Sequence, residues 1–159
     1  MITRLFPQQI DNDRRGHVLA VWFLVPLVLV KFLQGANIAW GNSRDILETA
    51  DRVPVGTFPA EAASQLVFLF AAWGLGIFVL GFLGIVVLLR YRAMIPLMYL
   101  LLLIEQAGRK ALSTIHLDRP FVSLEASPAN LINWGFLLVI VIGLALSLSG
   151  RRPRDRPPL

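Results

Sequence analysis

Long apolar stretches alternate along this chain with short polar ones, and the apolar stretches are longer than the core-facing runs of a soluble fold. Four carry the pattern: Val18–Val30 extending to Trp40, Leu66–Leu89, Ala93–Ile104 and Leu131–Leu148. A helix rises about 1.5 Å per residue and bilayer hydrocarbon is about 30 Å thick, so a spanning helix needs about 20 residues. The second and fourth stretches meet that length outright. The first and third meet it when their polar ends stay helical. The pattern predicts an all-α integral membrane bundle of four transmembrane helices, a single membrane domain over residues 1–159. Its spans fall near 17–40, 62–89, 93–113 and 130–149, with a flexible basic tail over 150–159.

Local chemistry places the connections. Arg90-Tyr91-Arg92 is so short that it forces the second and third spans into an antiparallel hairpin, and Pro96 sits where the first turn of a helix tolerates it. Asn42 or Ser43 caps a short helix ending before Pro54. Phe58-Pro59-Ala60-Glu61 reads as the start of span two, with Pro59 at the first helical position and Glu61 in the first turn. Ser127-Pro128 is the matching start of span four. Trp40 and Trp134 fall at the outer boundary, as interfacial tryptophans do.

Composition agrees with a bilayer: 56% of the 159 residues are hydrophobic and 16% are charged, too few to cover a soluble surface of this size. Cysteine is absent, which excludes disulfides, thiolate metal sites, iron–sulfur ligation and dithiol redox chemistry. The net charge of +5 does not point to nucleic acid, because the basic residues flank the apolar segments instead of gathering on one polar face. With the N-terminus inside, the cytoplasmic side holds Arg4, Arg14, Arg15, Arg90, Arg92, Arg151, Arg152, Arg154 and Arg156, nine in all; the outside holds Arg44, Arg52, Arg109, Lys110 and Arg119, which is five. The bias puts both termini in the cytoplasm, and the proline- and arginine-rich tail beside anionic lipid headgroups. A cleaved signal peptide is not expected at the first segment, since Asn37 precedes Ala39 where a small residue is needed.

The candidate chemistry begins with two charges at membrane depth. Lys31 lies 14 residues past His17 and Glu105 lies 13 past Arg92, about 21 and 19.5 Å from the inner face at the helical rise. Their helices run in the same direction, so the charges are level. A charge at bilayer depth costs about 2.5–3.5 kcal/mol, which mutual pairing relieves. Gln34 and Asn37 extend the patch from Lys31, recurring every three residues; Gln106 and Arg109 extend it from Glu105, with Lys110 and Ser113 alongside. Two readings stand beside each other. The patch is polar glue fixing which helix faces meet, or it is a polar cavity open to the outside that binds a proton, an ion or a small headgroup.

His17 and His116 fall on opposite faces of the membrane, about 30 Å apart, too far to share one haem iron. Gly74, Gly76, Gly81 and Gly84, with the small pair Ala72-x-x-x-Gly76, predict close helix approach, either within the bundle or against another subunit. No phosphate loop, zinc spacing, nucleophile elbow or internal repeat is present, and no cofactor is expected.

Arg90–Lys110, RYRAMIPLMYLLLLIEQAGRK, with Lys31-x-x-x-Gly35 and the DNDRRG opening, resembles small uncharacterised four-span inner-membrane proteins of bacteria. That resemblance implies a bacterial inner (plasma) membrane location and the four-span topology, and no activity. In size and span count alone the chain is also similar to DoxX-like proteins. The expected function is non-enzymatic, an accessory or interaction subunit whose partners are the lipid bilayer and a membrane protein or a second copy of the chain. The alternative is a small-molecule, ion or lipid binder or carrier using the Lys31/Glu105 patch.

Overall fold

The computed structural model describes residues 5–6, 11–12, 16–50, 53–117 and 128–149. The expected second outer loop at 118–127, the basic tail, and Arg14, Arg15, Asp51 and Arg52 lie outside the described residues. Among those described, all regular structure is helical. Five α-helices follow one another: α1 (Val18–Ala36), α2 (Ser43–Thr49), α3 (Ala60–Arg90), α4 (Ile95–Leu117) and α5 (Pro128–Leu148). A π-turn at Asn37–Gly41 continues α1, and 3-10 turns at Val55–Thr57 and Arg92–Met94 precede α3 and α4.

Among the described residues, three helical segments are long and apolar enough to cross a membrane: Val18–Gly41, Ala60–Arg90 and Leu131–Leu148. The expected third span is helical from Ile95 to Leu117, 23 residues, but it is not among these three. Glu105, Arg109 and Lys110 within six positions lower its hydropathy, while the four spans of the sequence pattern required only that its polar end stay helical.

The helix starts follow local chemistry. α3 begins at Ala60, one residue after Pro59, with Glu61 in its first turn, where a carboxylate meets the positive end of the helix dipole. The Pro59 carbonyl accepts the Ala63 N–H at 2.9 Å. α5 begins at Pro128. α2 forms where expected, but its entry is built differently: no side chain caps it. Asn42 instead donates through Nδ2 to Asn37 Oδ1 at 3.3 Å, and the Ser43 hydroxyl donates to the Ile38 carbonyl.

The chain divides into two compact units, Pro26–Ile85 and Met1–Val25 with Val86–Leu159. In the first, α1 and α3 cross antiparallel at glycine notches. A Cβ on Gly81 would stand 2.5 Å from the Phe32 nitrogen, one on Gly84 2.5 Å from a Val28 methyl, and ones on Gly35 and Gly74 would strike the Phe78 backbone and the Ile38 side chain. Hydrophobic burial does not drive helices together inside lipid; close van der Waals contact does, and small residues permit it. The expected pair Ala72-x-x-x-Gly76 is not this face: both residues are exposed, and a Cβ on Gly76 meets nothing within 4 Å. Phe32 and Phe78 lie 4.7 Å apart, and Trp40 meets Phe78 edge-on at 4.9 Å.

In the second unit, Tyr99 of α4 is the central side chain, fully buried. Its hydroxyl donates to the Ala20 carbonyl at 2.7 Å, and its ring fills the space over Gly143 of α5 that a methyl would occupy. The opening segment closes on the same unit. The Ala93 N–H donates to the Asp11 carbonyl at 3.3 Å, and the His17 N–H to the Leu146 carbonyl at 3.2 Å.

Candidate functional site

α4 and α5 run antiparallel, since Tyr99 meets Gly143 at one level and Gln106 meets Asn133 at another. At the second level the apolar packing gives way to a polar cluster. Residues 105, 106, 109 and 110 fall one turn apart in pairs, so they form a single polar stripe on α4. Gln106 is 5% exposed and donates through Nε2 to Asn133 Oδ1 at 3.2 Å and to the Asn133 carbonyl at 3.4 Å. Arg109 donates through one Nη to Gln106 Oε1 at 2.9 Å and to Asn133 Oδ1 at 3.3 Å. Its Nε lies 3.9 Å from Glu105 Oε1, an ion pair along one helix face. Lys110 holds its ammonium 5.0 Å from the centre of the Trp134 ring, close enough for attraction to the ring face.

Carboxylate, guanidinium and two amides thus form one connected chain of polar groups. The Asn133 amide ties α5 into it at two points, through Gln106 and Arg109. Two contacts from α4 to one α5 amide fix the rotation of α5 about its own axis relative to α4. Among the described residues no group of three or more His, Cys, Asp or Glu is placed to hold a metal ion.

The structure brings Glu105, Gln106 and Arg109 together in the second unit. Lys31, Gln34 and Asn37 belong to the first. Lys31 is 3% exposed, whereas Gln34 and Asn37 are exposed. A three-residue repeat drifts about 60° per step around a helix of 3.6 residues per turn, which carries the two amides off the face that Lys31 uses. Asn37 serves the chain locally, accepting from Asn42 at 3.3 Å within the π-turn.

Asn133 was absent from the expected patch, and Trp134 was expected only as an interfacial anchor. The signal for Asn133 is present in the sequence: it is an amide beside a tryptophan, one turn after Asn130, at the entry to a long apolar run. His17 and His116 are far apart within the second unit. His17 lines a small cavity with Arg92 and Ile95, and His116 stands 21 residues along α4 from Ile95, about 31 Å at the helical rise.

Compared with protein-family models, with curated proteins and with solved structures, the chain finds no match in any of the three.

Proposed function

We propose that this chain is a non-enzymatic protein of a bacterial plasma membrane, an accessory subunit that crosses the bilayer four times with both termini in the cytoplasm. The observation that carries the reading is the use made of the α4 polar residues. Gln106 and Arg109 are spent on each other and on Asn133, which supports α4 as a fourth span held to α5 by polar contacts. At 23 residues it is about 34 Å long, enough for the hydrocarbon. Meanwhile only 17% of the Leu131–Leu148 window is buried within the chain, so α5 offers most of its apolar surface to lipid or to another membrane protein.

The test is the size of the assembly. A chromosomally tagged chain, extracted in mild detergent, should migrate in native electrophoresis as a complex well above one 17.7 kDa chain in its micelle. That complex should contain a second membrane protein in fixed ratio, or further copies of the chain. A monomer at native expression would overturn the subunit reading.

A second reading makes the chain a binder of a small ion or headgroup, with Lys31, buried within its own unit, and Glu105 as the charges it would use. Lys31→Ala, Glu105→Gln and the double variant separate the two. As glue, the double variant should be less damaged than the sum of the singles, because removing one charge strands the other. A double variant that folds normally yet loses ligand binding or flux would make the patch a site.

A further inference from the structure

The first unit holds a cavity of about 590 Å3 with no part in the polar cluster. One wall comes from Arg44 of α2 and from Val55, Gly56 and Phe58 before α3; the other is α3 itself, from Ala60 to Ala71. That wall is about 16 Å long at the helical rise. It runs from the polar first turns of α3, which carry Glu61 and Ser64, into the apolar run that begins at Leu66. The volume is that of a small-molecule site, which typically takes 300–1,000 Å3.

The lining is apolar except for Arg44 and Ser64. Ser64 turns its hydroxyl hydrogen back to the Glu61 carbonyl at 2.8 Å, so Arg44 is the side chain that supplies donors to an occupant. Its Nε bonds Glu48 Oε1 at 3.1 Å, an engagement that uses one of five guanidinium N–H groups; the four on the two Nη nitrogens suit a phosphate. The guanidinium at the edge of the apolar groove therefore brings a carboxylate with it, Glu48, which does not itself line the groove but stands one turn along α2 from Arg44. A zwitterion matches that pair, and a purely anionic headgroup does not, because it would also meet Glu48. A soluble ligand would gain nothing from the apolar wall.

We propose that the cavity seats one zwitterionic aminophospholipid of the adjoining leaflet, its phosphodiester on Arg44, its ammonium on Glu48 and an acyl chain against Val67 and Phe68. The proposal rests on the reading that α3 crosses the bilayer.

Native mass spectrometry of the full chain tests it. Protein purified in mild detergent and delipidated is titrated with phosphatidylethanolamine or phosphatidylglycerol of the same acyl chains. The wild type should hold one phosphatidylethanolamine more tightly than phosphatidylglycerol. Arg44→Gln should weaken that binding about tenfold, the loss expected for one charge-assisted contact. Glu48→Gln should erase the preference between the two lipids, and Ala63→Trp, which fills the groove, should abolish tight binding. If Ala63→Trp does not fold, Arg44→Gln at an exposed position carries the test. Equal phosphatidylethanolamine binding by wild type and Arg44→Gln, or a preference for phosphatidylglycerol, would overturn the proposal. Alkaline carbonate extraction distinguishes the two failures. A chain that stays with the membrane but shows no selective lipid sinks only the lipid seat, whereas a chain released by carbonate sinks the membrane reading as well.

Discussion

Replacing Gly143 by alanine places a methyl group inside the Tyr99 ring. The new Cβ would meet Cε1, Cζ and, at 2.5 Å, Oη. The ring has nowhere to go: Tyr99 is fully buried, and its hydroxyl is fastened to the Ala20 carbonyl at 2.7 Å. Overpacking of this kind costs about 1–3 kcal/mol. Against it stands the helix preference for alanine over glycine, about 1 kcal/mol, so Gly143→Ala should destabilise by up to about 2 kcal/mol net. In a Tyr99→Leu background the obstruction is gone. The same alanine should then be neutral or stabilising, giving a coupling of about 2 kcal/mol between the two positions. Tyr99→Phe tests the hydrogen bond separately and should cost about 0.6 kcal/mol, at most about 1.7, as interhelical bonds in membranes do. The measurement is reversible unfolding by SDS titration into mild-detergent micelles, followed by circular dichroism, with size-exclusion to confirm that each variant starts folded. If Gly143→Ala costs the same in both backgrounds, the ring is not what the methyl strikes. The packing described for the second unit would then be wrong.

Three further outcomes follow from the same geometry. Gly81→Leu should lose at least about 2 kcal/mol or fail to give a monodisperse species, because its side chain meets the Phe32 backbone; Gly76→Ala, with open space around it, should be neutral or stabilising by up to about 1 kcal/mol, and equal effects would refute the assigned α1–α3 face. Gln106→Leu and Asn133→Leu should each cost about 1 kcal/mol, with the double variant costing less than their sum; strict additivity in the SDS titration would show that the two amides do not act together. Single cysteines introduced into this cysteine-free chain should be labelled from the periplasm within residues 42–60 and from the cytoplasm at 90–92, and periplasmic labelling of a cysteine in the tail would refute the four-span threading.

Helix boundaries were legible in the sequence to within a few residues because they are set locally. Pro59 and Glu61 mark the start of α3, and Pro128 marks the start of α5; neither needs knowledge of a partner helix. The exception at α2 is informative, since Asn42 has the right chemistry for a cap but spends its side chain on Asn37, drawn there by a π-turn that no pattern announced. What spacing cannot supply is the rotation of one helix against another. Ala72-x-x-x-Gly76 has the spacing for close approach, yet the contact is made by Gly74, Gly81 and Gly84, because Ile38, Phe32 and Val28 of α1 lie opposite them while Gly35 of α1 faces Phe78.

The same distinction explains the candidate site. Counting along α4 identified Glu105, Gln106 and Arg109 as one stripe, because residues three and four apart share a face. It left out Asn133, whose role depends on α5 lying antiparallel at one particular register. A charged stripe on a helix of middling hydropathy has two physical outcomes. Its groups find partners on a neighbouring helix and the segment sits in lipid, or they find water and it does not. Gln106 and Arg109 both reach Asn133, and the neighbour they reach belongs to one of the most apolar helices of the chain. A water-facing stripe would gain nothing from an amide carried on such a helix, whereas a lipid-embedded one needs it. Asn133, bonded by both Gln106 and Arg109, is therefore the residue of α5 on which the proposal of α4 as a fourth span rests.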